Sequence, residues 1–443
     1  MRIAIATSFS AWDDTYSLCH VARLHANTLA ELGHKVEVWV EEPFNDFDRF
    51  HPDVQIRRAF NSHIYQPDNA RAEDVDLKVE EFTTALKVFK PDIVIDHDLI
   101  FQAAFVAYAE AIHRLPLDRE TVWFHVVHSN CKDREPVTDG SQWRRKMPKG
   151  HYLLALGEGH RRAVSAHYGE PASNVFICQN PFDFFEGMAA ESRQMALDLD
   201  LFERDFVQVY PIAGTRMKDK GLRDLIDIFD IMKAEKGQNA CLIVCNGHSN
   251  NDQTRRDIER VFTAKHLGPD DLVFTSVNWK RWGVEEWEHS VPHRVVADLI
   301  RLSNLFIFPS RSEACSLALA EAQAAGCFAV LNEDCIAQMD WQSPYALRMK
   351  FGGYGFDVNH HVKQRLVHHD HGSGDMRVEH RQLEGKEAKA QVLAMLCDQI
   401  ISQVEQNPCL MAKRFAMRTY APQTVAKRII DLSAIARKWL CEM

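Results

Sequence analysis

The chain lacks any Cys-x-x-Cys pair, any long apolar run and any excess of positive charge. Its eleven cysteines are odd in number and scattered, without the regular pairing that a disulfide or metal framework shows. Several, such as Cys241 and Cys245 in "CLIVC", stand in strand-like apolar runs, where cysteine packs as a small hydrophobe. Reduced core thiols are therefore expected. No apolar run is long enough for a signal or a membrane span, and Asp13 and Asp14 soon follow the apolar start Met1-Arg2-Ile3-Ala4-Ile5-Ala6. The expectation is a cytoplasmic chain with no transmembrane segment. A net charge of −10 and a pI near 6.1 argue against a protein that coats nucleic acid nonspecifically, yet leave room for a local basic groove. No short solenoid-type repeat is visible.

What is present is a chain of 443 residues, 46% hydrophobic and 26% charged, the composition of a soluble globular protein too long for one core. "MRIAIAT", a helical stretch about "CHVARLHANTLAELGHK" closed by Gly33, and "VEVWVEE" read as strand, helix, strand. "KVEEFTTALKVFKPDIVIDHDL" repeats the pattern with a stop at Pro91 and a strand ending in His97 and Asp98. After an acidic helical connection near 186–204 the alternation restarts: "FVQVYPIAGT", "GLRDLIDIFDIMKAE", "ACLIVCNG", the strand "DLVFTSV", the helix "RVVADLIRLS" and the strand "NLFIFPS". Two such runs predict an α/β chain of two Rossmann-like domains, 1–190 and 204–415, with a last amphipathic helix at 422–443.

In open parallel sheets ligands bind beyond the carboxyl ends of the strands. The polar clusters fall there: His97 with Asp98, His128 with Ser129, "GTRMKDKG", "NGHSN" and "PSRSEACS". With two such sheets facing each other, these clusters would line one interdomain cleft. In "GTRMKDKG", Gly214 and Gly221 flank Arg216 and Lys220, whose guanidinium fork and mobile ammonium suit a diphosphate. Two solvated cations at a helix start would oppose the helix dipole, which favours an anionic ligand. "FPSRSEACSLALAEAQAAGC" runs from a strand end into a helix whose N-terminus, about Cys315 to Leu317, offers backbone N–H groups to an anion. It carries Glu313 and Glu321, with Glu321 on the same helical face as Leu317, Ala320 and Ala324. A carboxylate is misplaced on so apolar a face unless something polar meets it; a cap and an ion pair are the plain alternative, and the hydroxyls of a ribose or sugar the functional one.

These segments resemble a family pattern. "FPSRSEACSLALAEAQAAGCFAVL" resembles the signature of the retaining GT-B glycosyltransferases of family 4, in which Pro-Ser leads into E-x7-E and an alanine-rich helix. "GTRMKDKGLRDLIDIF", "NVFICQNPFDF", "RFAMRTYAPQTVAKRII" and "MRIAIA" with "LAELGHKVEVW" resemble further elements of that family, in the same order along the chain. The resemblance implies a GT-B fold whose C-terminal helix returns to the N-terminal domain, with a nucleotide-diphosphate sugar as donor substrate and no cofactor. It implies that Arg216 and Lys220 bind the diphosphate, that Glu313 touches the transferred sugar and Glu321 the ribose, and that backbone near Cys315, Ser316 and Leu317 meets the phosphates. Gly214 and Thr215 would complete the donor loop, and His128 would contact the sugar near the reacting carbon. Departures are plain: "SFSAWDDTYS" stands where the family has a glycine-rich loop, "ACS" replaces Gly-Phe-Gly after the first glutamate, and the glycine-rich loop is absent from "LNEDCIAQMDWQ". Ala314 and Cys315 resist the positive φ that glycine permits.

The implied reaction retains anomeric configuration, with Arg216, Lys220 and the helix terminus stabilising the departing diphosphate without a metal. The His-rich stretch 359–380, with His360, His361, His368, His369, Asp370 and His371, is the best metal candidate but lacks a clean H-x3-H pair. Beside Trp143, the cations Arg144, Arg145, Lys146 and Lys149 form either a solvated loop or, with His97 and Asp98, an acceptor side. Acceptor readings are a glycan, a lipid or a small molecule. Some bacteriophage enzymes that glucosylate modified DNA bases share the plan, which keeps a DNA acceptor open. A GT-B-type sugar-nucleotide epimerase and an inactive sugar-nucleotide-binding protein are the other readings.

Overall fold

The computed structural model describes residues 1–14, 16–62, 72–117, 121–128, 143–213, 216–217, 219–247, 265–288, 290–311, 313, 316–335, 338–339, 343–351, 353–354, 366–367 and 386–442. Gly214, Thr215, Ala314, Cys315, Ser129, and His360, His361, His368, His369, Asp370 and His371 of the His-rich stretch lie outside them. The chain divides into two compact units, Met1–Phe184 with Arg418–Met443, and Phe185–Met417. Each is a layered α/β body with its own parallel sheet.

In the first unit the β-branched runs that alternate with amphipathic helices form β1 (Arg2–Ala6), α1 (Ser17–Glu31), β2 (Lys35–Glu41), β3 (Gln55–Phe60), α2 (Ala72–Phe89), β4 (Ile93–His97), α3 (Val106–Arg114), β5 (Val122–Val126), β6 (His151–Ala155), α4 (Glu158–Tyr168) and β7 (Val175–Ile177). The seven strands pair in parallel in the order β3-β2-β1-β4-β5-β6-β7. Strand order reverses between β1 and β4, the topological switch point. Parallel strands are covered on both faces, so β1, β4 and β5 are buried almost throughout.

The second unit contains α5 (Ala190–Asp198), β8 (Phe206–Ala213), α6 (Leu222–Ala234), β9 (Ala240–Gly247), β10 (Leu272–Phe274), α7 (Thr275–Trp282), α8 (His293–Leu302), β11 (Leu305–Phe308), α9 (Leu317–Ala324), β12 (Phe328–Asn332), β13 (Leu347–Met349), α10 (Lys386–Gln406) and most of α11 (Pro408–Tyr420). Its strands form two parallel sets, β10-β9-β8 and β11-β12-β13. The sets are joined where β8 meets β11, through side chains. Fully buried Gln208 donates from Nε2 to the Ile307 carbonyl at 2.8 Å and accepts the Ile307 N–H on Oε1 at 2.9 Å, which is what a neighbouring backbone would do. Asn304 repeats this one step away, accepting from Val207 N at 2.9 Å and donating to Asp205 O at 2.8 Å. A buried amide pair of this kind leaves no backbone group orphaned at the seam.

The segment "DLVFTSV" does not continue as one strand. The strand stops at Phe274 and α7 begins at Thr275. The Thr275 hydroxyl donates to Val244 O at 3.3 Å and Asn278 Nδ2 to Phe274 O at 3.0 Å, side-chain bonds that compete with a strand ladder.

The last helix, α12 (Pro422–Glu442), belongs to the first unit. Val425, Ala426, Ile429 and Ala436 join the core under β1, β4 and β5, Tyr152 Oη donates to Ala436 O at 3.0 Å, and Trp439 lies on Phe176 with ring centroids 5.0 Å apart. The expected return of the C-terminal helix to the N-terminal unit is what the chain does, and both expected Rossmann-like units are present. The described cysteines form no disulfide, and Cys178, Cys241 and Cys245 are buried thiols pushed up to about 12 by desolvation. Among the described residues no helix is long and apolar enough to cross a membrane, and no group of three or more His, Cys, Asp or Glu is placed to hold a metal ion.

Candidate active site

In the second unit the strand order turns between β8 and β11, and the loops that leave these two strands meet. The β8 loop brings Arg216 and Lys220; the β11 loop brings Ser310, Arg311 and Glu313. Lys220 Nζ is in direct contact with Glu313 Oε1, and Ser310 Oγ donates to the same oxygen at 2.9 Å. Only 13% of the lysine side chain and 8% of the glutamate are exposed, so water screens the pair weakly. Burial and then the Arg216 guanidinium pull the Lys220 ammonium down to about 8, while Cys335 and Asp219 work in the opposite direction, so the lysine is mostly charged at neutral pH. Arg216 itself is exposed.

The backbone around this pair is fixed from several sides. Tyr210 Oη donates to Lys220 O at 2.6 Å, and Lys220 N donates to Arg216 O at 2.9 Å. Gly221 has φ +66, and a Cβ there would stand 2.9 Å from the carbonyl carbon of Pro309. Only glycine permits this crossing of the two loops. Arg311 N donates to Asp219 O at 2.8 Å and its Nη2 to Asp224 at 2.7 Å, linking the β11 loop to the start of α6. The carbonyl of Ser310 accepts from Asn332 Nδ2 at 3.0 Å and Gln338 Nε2 at 2.8 Å. Thus "LNEDCIAQ", which stands where the resemblance leads one to look for glycines, holds the β11 loop with two buried amides.

Glu321 does not share a buried face. On α9, Leu319 and Ala322 face the core, whereas Leu317, Ala320 and Ala324 are exposed beside the half-buried Glu321. His293, at the start of α8, meets Glu321 Oε1 through Nε2 at 2.7 Å. Ser316 caps the helix, its hydroxyl accepting from Leu319 N at 3.3 Å, and Leu317 is 72% exposed.

In the first unit, His97 ends β4 and Asp98 follows in the left-handed region at φ 59. Asp98 Oδ1 accepts the His128 backbone N–H at 2.6 Å, tying the ends of β4 and β5 together. His128 Nε2 meets His97 Nδ1 at 2.9 Å, and His97 Nε2 meets His25 Nδ1 of α1 at 3.4 Å. A second buried set lies deeper in the sheet: Asp96 contacts His125 Nδ1 and accepts from Trp123 Nε1 at 2.8 Å, and His125 Nε2 meets His151 Nδ1 at 3.0 Å. Arg144 lies 3.9 Å above the Phe101 ring and donates to the Phe101 carbonyl at 2.9 and 2.6 Å. Arg145 forms a two-pronged pair with Glu110 at 2.8 and 2.9 Å, so both arginines are engaged within their own unit. Lys146 and Lys149 are exposed.

No protein-family model and no curated protein matches the chain. Among solved structures it is similar to a glycosyltransferase from Rickettsia africae ESF-5, with 10% identity, 98% of each chain covered and a TM-score of 0.36. It is also similar to HepE from Anabaena in complex with UDP, with 12% identity over 98% of this chain and 100% of that one and a TM-score of 0.35. A third likeness is to sucrose-phosphate synthase from Thermosynechococcus elongatus, at 14% identity, 98% and 99% coverage and a TM-score of 0.35. Likenesses this distant carry no functional argument by themselves.

Proposed function

We propose that the chain is a retaining, metal-independent glycosyltransferase of the family 4 kind, which moves a sugar from a nucleotide-diphosphate sugar to an acceptor hydroxyl in the cytoplasm. The observation that carries this reading is the meeting of Lys220 with Glu313 at the switch point of the second unit, beside the exposed Arg216. Beyond parallel strand ends, cations from one loop and a carboxylate from the other suit a ligand with a diphosphate at one end and hydroxyls at the other. Lys220 and Arg216 would stabilise the charge that grows on the diphosphate as the glycosidic bond breaks, which is where an electrostatic donor does most for the rate. Glu313 would hold a hydroxyl of the sugar, and Glu321, kept in place by His293, the ribose diol. Backbone N–H groups near Cys315, Ser316 and Leu317, and the Gly214 and Thr215 segment, would meet the phosphates. In this reading His128 acts on the sugar being transferred, and the leaving phosphate takes the acceptor proton.

The acceptor class is proposed as a glycan, a lipid or a small molecule. The engagement of Arg144 with Phe101 and of Arg145 with Glu110 makes a DNA acceptor the weaker reading. Incubation with a panel of nucleotide sugars tests the proposal. Slow release of a nucleoside diphosphate, lost in Arg216→Ala, supports transfer. Epimerised donor without release would establish the isomerase reading instead, and binding without turnover that of an inactive binder.

A further inference from the structure

Three histidines of the first unit form a continuous line whose purpose the fold does not require. His25 comes from α1, His97 from the end of β4 and His128 from just beyond β5. His25 and His97 are 2% and 1% exposed, and the ring planes of successive members differ by only 28° and 24°. Successive rings are near-parallel, and their facing nitrogens lie 3.4 and 2.9 Å apart, close enough for the N–H of one to meet the lone pair of the next. A neutral imidazole has one donor and one acceptor nitrogen, so a line of neutral rings has a direction.

That direction follows from its inner end. His25 Nε2 is buried without a hydrogen-bond partner. An orphaned buried N–H is rarer and costlier than an orphaned acceptor, so the proton of His25 belongs on Nδ1. His25 Nδ1–H then donates to His97 Nε2, and His97 Nδ1–H donates to His128 Nε2. His128 is thereby left with its proton on Nδ1, the ring nitrogen with no partner among the described residues. We propose that His25 and His97 are positioning residues that lock His128 in its Nδ1–H tautomer, so that it presents a hydrogen-bond donor to an oxygen of the sugar.

The charge state is compatible. Desolvation lowers His25 to about 3 and His128 to about 4, and takes His97 well below its ordinary value. Around His128, Asp98 beyond β4 and Asp96 in β4 oppose this, and His160 of α4 reinforces it. All three rings are neutral near pH 7, as a directed line needs. The role given to His128 toward the sugar rests on the transferase reading, whereas the tautomer does not.

The test is nitrogen-15 NMR of the full chain labelled at histidine, with the His128 signals assigned by their loss in His128→Gln. The expected result is an Nδ1–H tautomer for His128 in the native protein, changing to a mixture or to Nε2–H in His97→Leu and restored in His97→Asn, whose amide retains a donor near the Nδ1 position. An Nε2–H tautomer in the native protein overturns the proposal, with no variant needed. With a donor in hand, His97→Leu should lower kcat about 10²-fold while KM for the donor changes little, and His97→Asn should recover most of the loss. If the tautomer is as stated and responds to His97, yet no nucleotide sugar turns over, the positioning line stands and the transferase reading fails. If turnover is present and unchanged in a folded His97→Leu, the positioning role fails and the transferase reading stands.

Discussion

Lowering the pH should unfold the two units in sequence, the first unit earlier. Three of its histidines, His25, His97 and His151, are at least 95% buried, with exposures of 2%, 1% and 5%. Burial lowers all three: His25 from 6.5 to about 3, His97 and His151 well below 6.5. The unfolded chain therefore takes up protons at a higher pH than the folded unit. The stability associated with neutral rings is complete above pH 6.5 and is lost as pH falls toward the folded values. At pH 5 the His25 ring lies about 1.5 pH units below its unfolded midpoint, a cost of about 2 kcal/mol. His97 and His151 act in the same direction, against the ~5–15 kcal/mol that holds an ordinary domain. Glu41, whose carboxyl burial raises, acts the other way. The two described histidines of the second unit, His266 and His293, are exposed. Hydrogen exchange read by mass spectrometry at pH 7.5 and pH 5, corrected for intrinsic rates, resolves peptides of β4–β6 from those of β8–β9. Protection should collapse first in β4–β6. Equal protection in both sets at pH 5 would refute the reasoning.

Other outcomes follow from the same contacts. Gln208→Leu leaves the Ile307 N–H and carbonyl buried and unpaired, so the second unit should lose about 2–5 kcal/mol in urea melts; a loss under about 1 kcal/mol would mean the seam does not need this amide. Gly221→Ala should destabilise the same unit by more than the ~1–2 kcal/mol of a left-handed residue alone, because its Cβ meets Pro309, and should weaken donor binding with it. Arg311→Ala removes the tie to Asp224 and is expected to raise KM for a nucleotide-sugar donor several-fold with little change in melting temperature; an unchanged KM would leave Arg311 a structural residue.

The strands were legible because each is a short apolar run between turn residues, and the order of the alternation predicted two parallel sheets. Arg216, Lys220 and Glu313 were legible because charged residues right after apolar strands are conspicuous. Gln208 was not, since one glutamine in "FVQVYPIA" carries no pattern until β8 and β11 are placed side by side. Asn332 and Gln338 were hidden for the same reason, in a segment notable chiefly for lacking glycines. The boundary at Thr275 was misread because "DLVFTSV" has strand propensity throughout, and side-chain bonds from Thr275 and Asn278 overrode it. The exposure of Ala320 and Ala324 could not be foreseen from composition, since alanine suits either side of a helix.

The central claim, that Lys220 and Arg216 receive a diphosphate, is tested most directly by calorimetric titration of the full chain with a panel of nucleoside diphosphates. At least one should bind, and Arg216→Ala should weaken it tenfold or more, the ~1.4 kcal/mol of a lost charged hydrogen bond, at an unchanged melting temperature. Binding of equal strength in Arg216→Ala and Lys220→Gln, or no binding by any member of the panel, would contradict it.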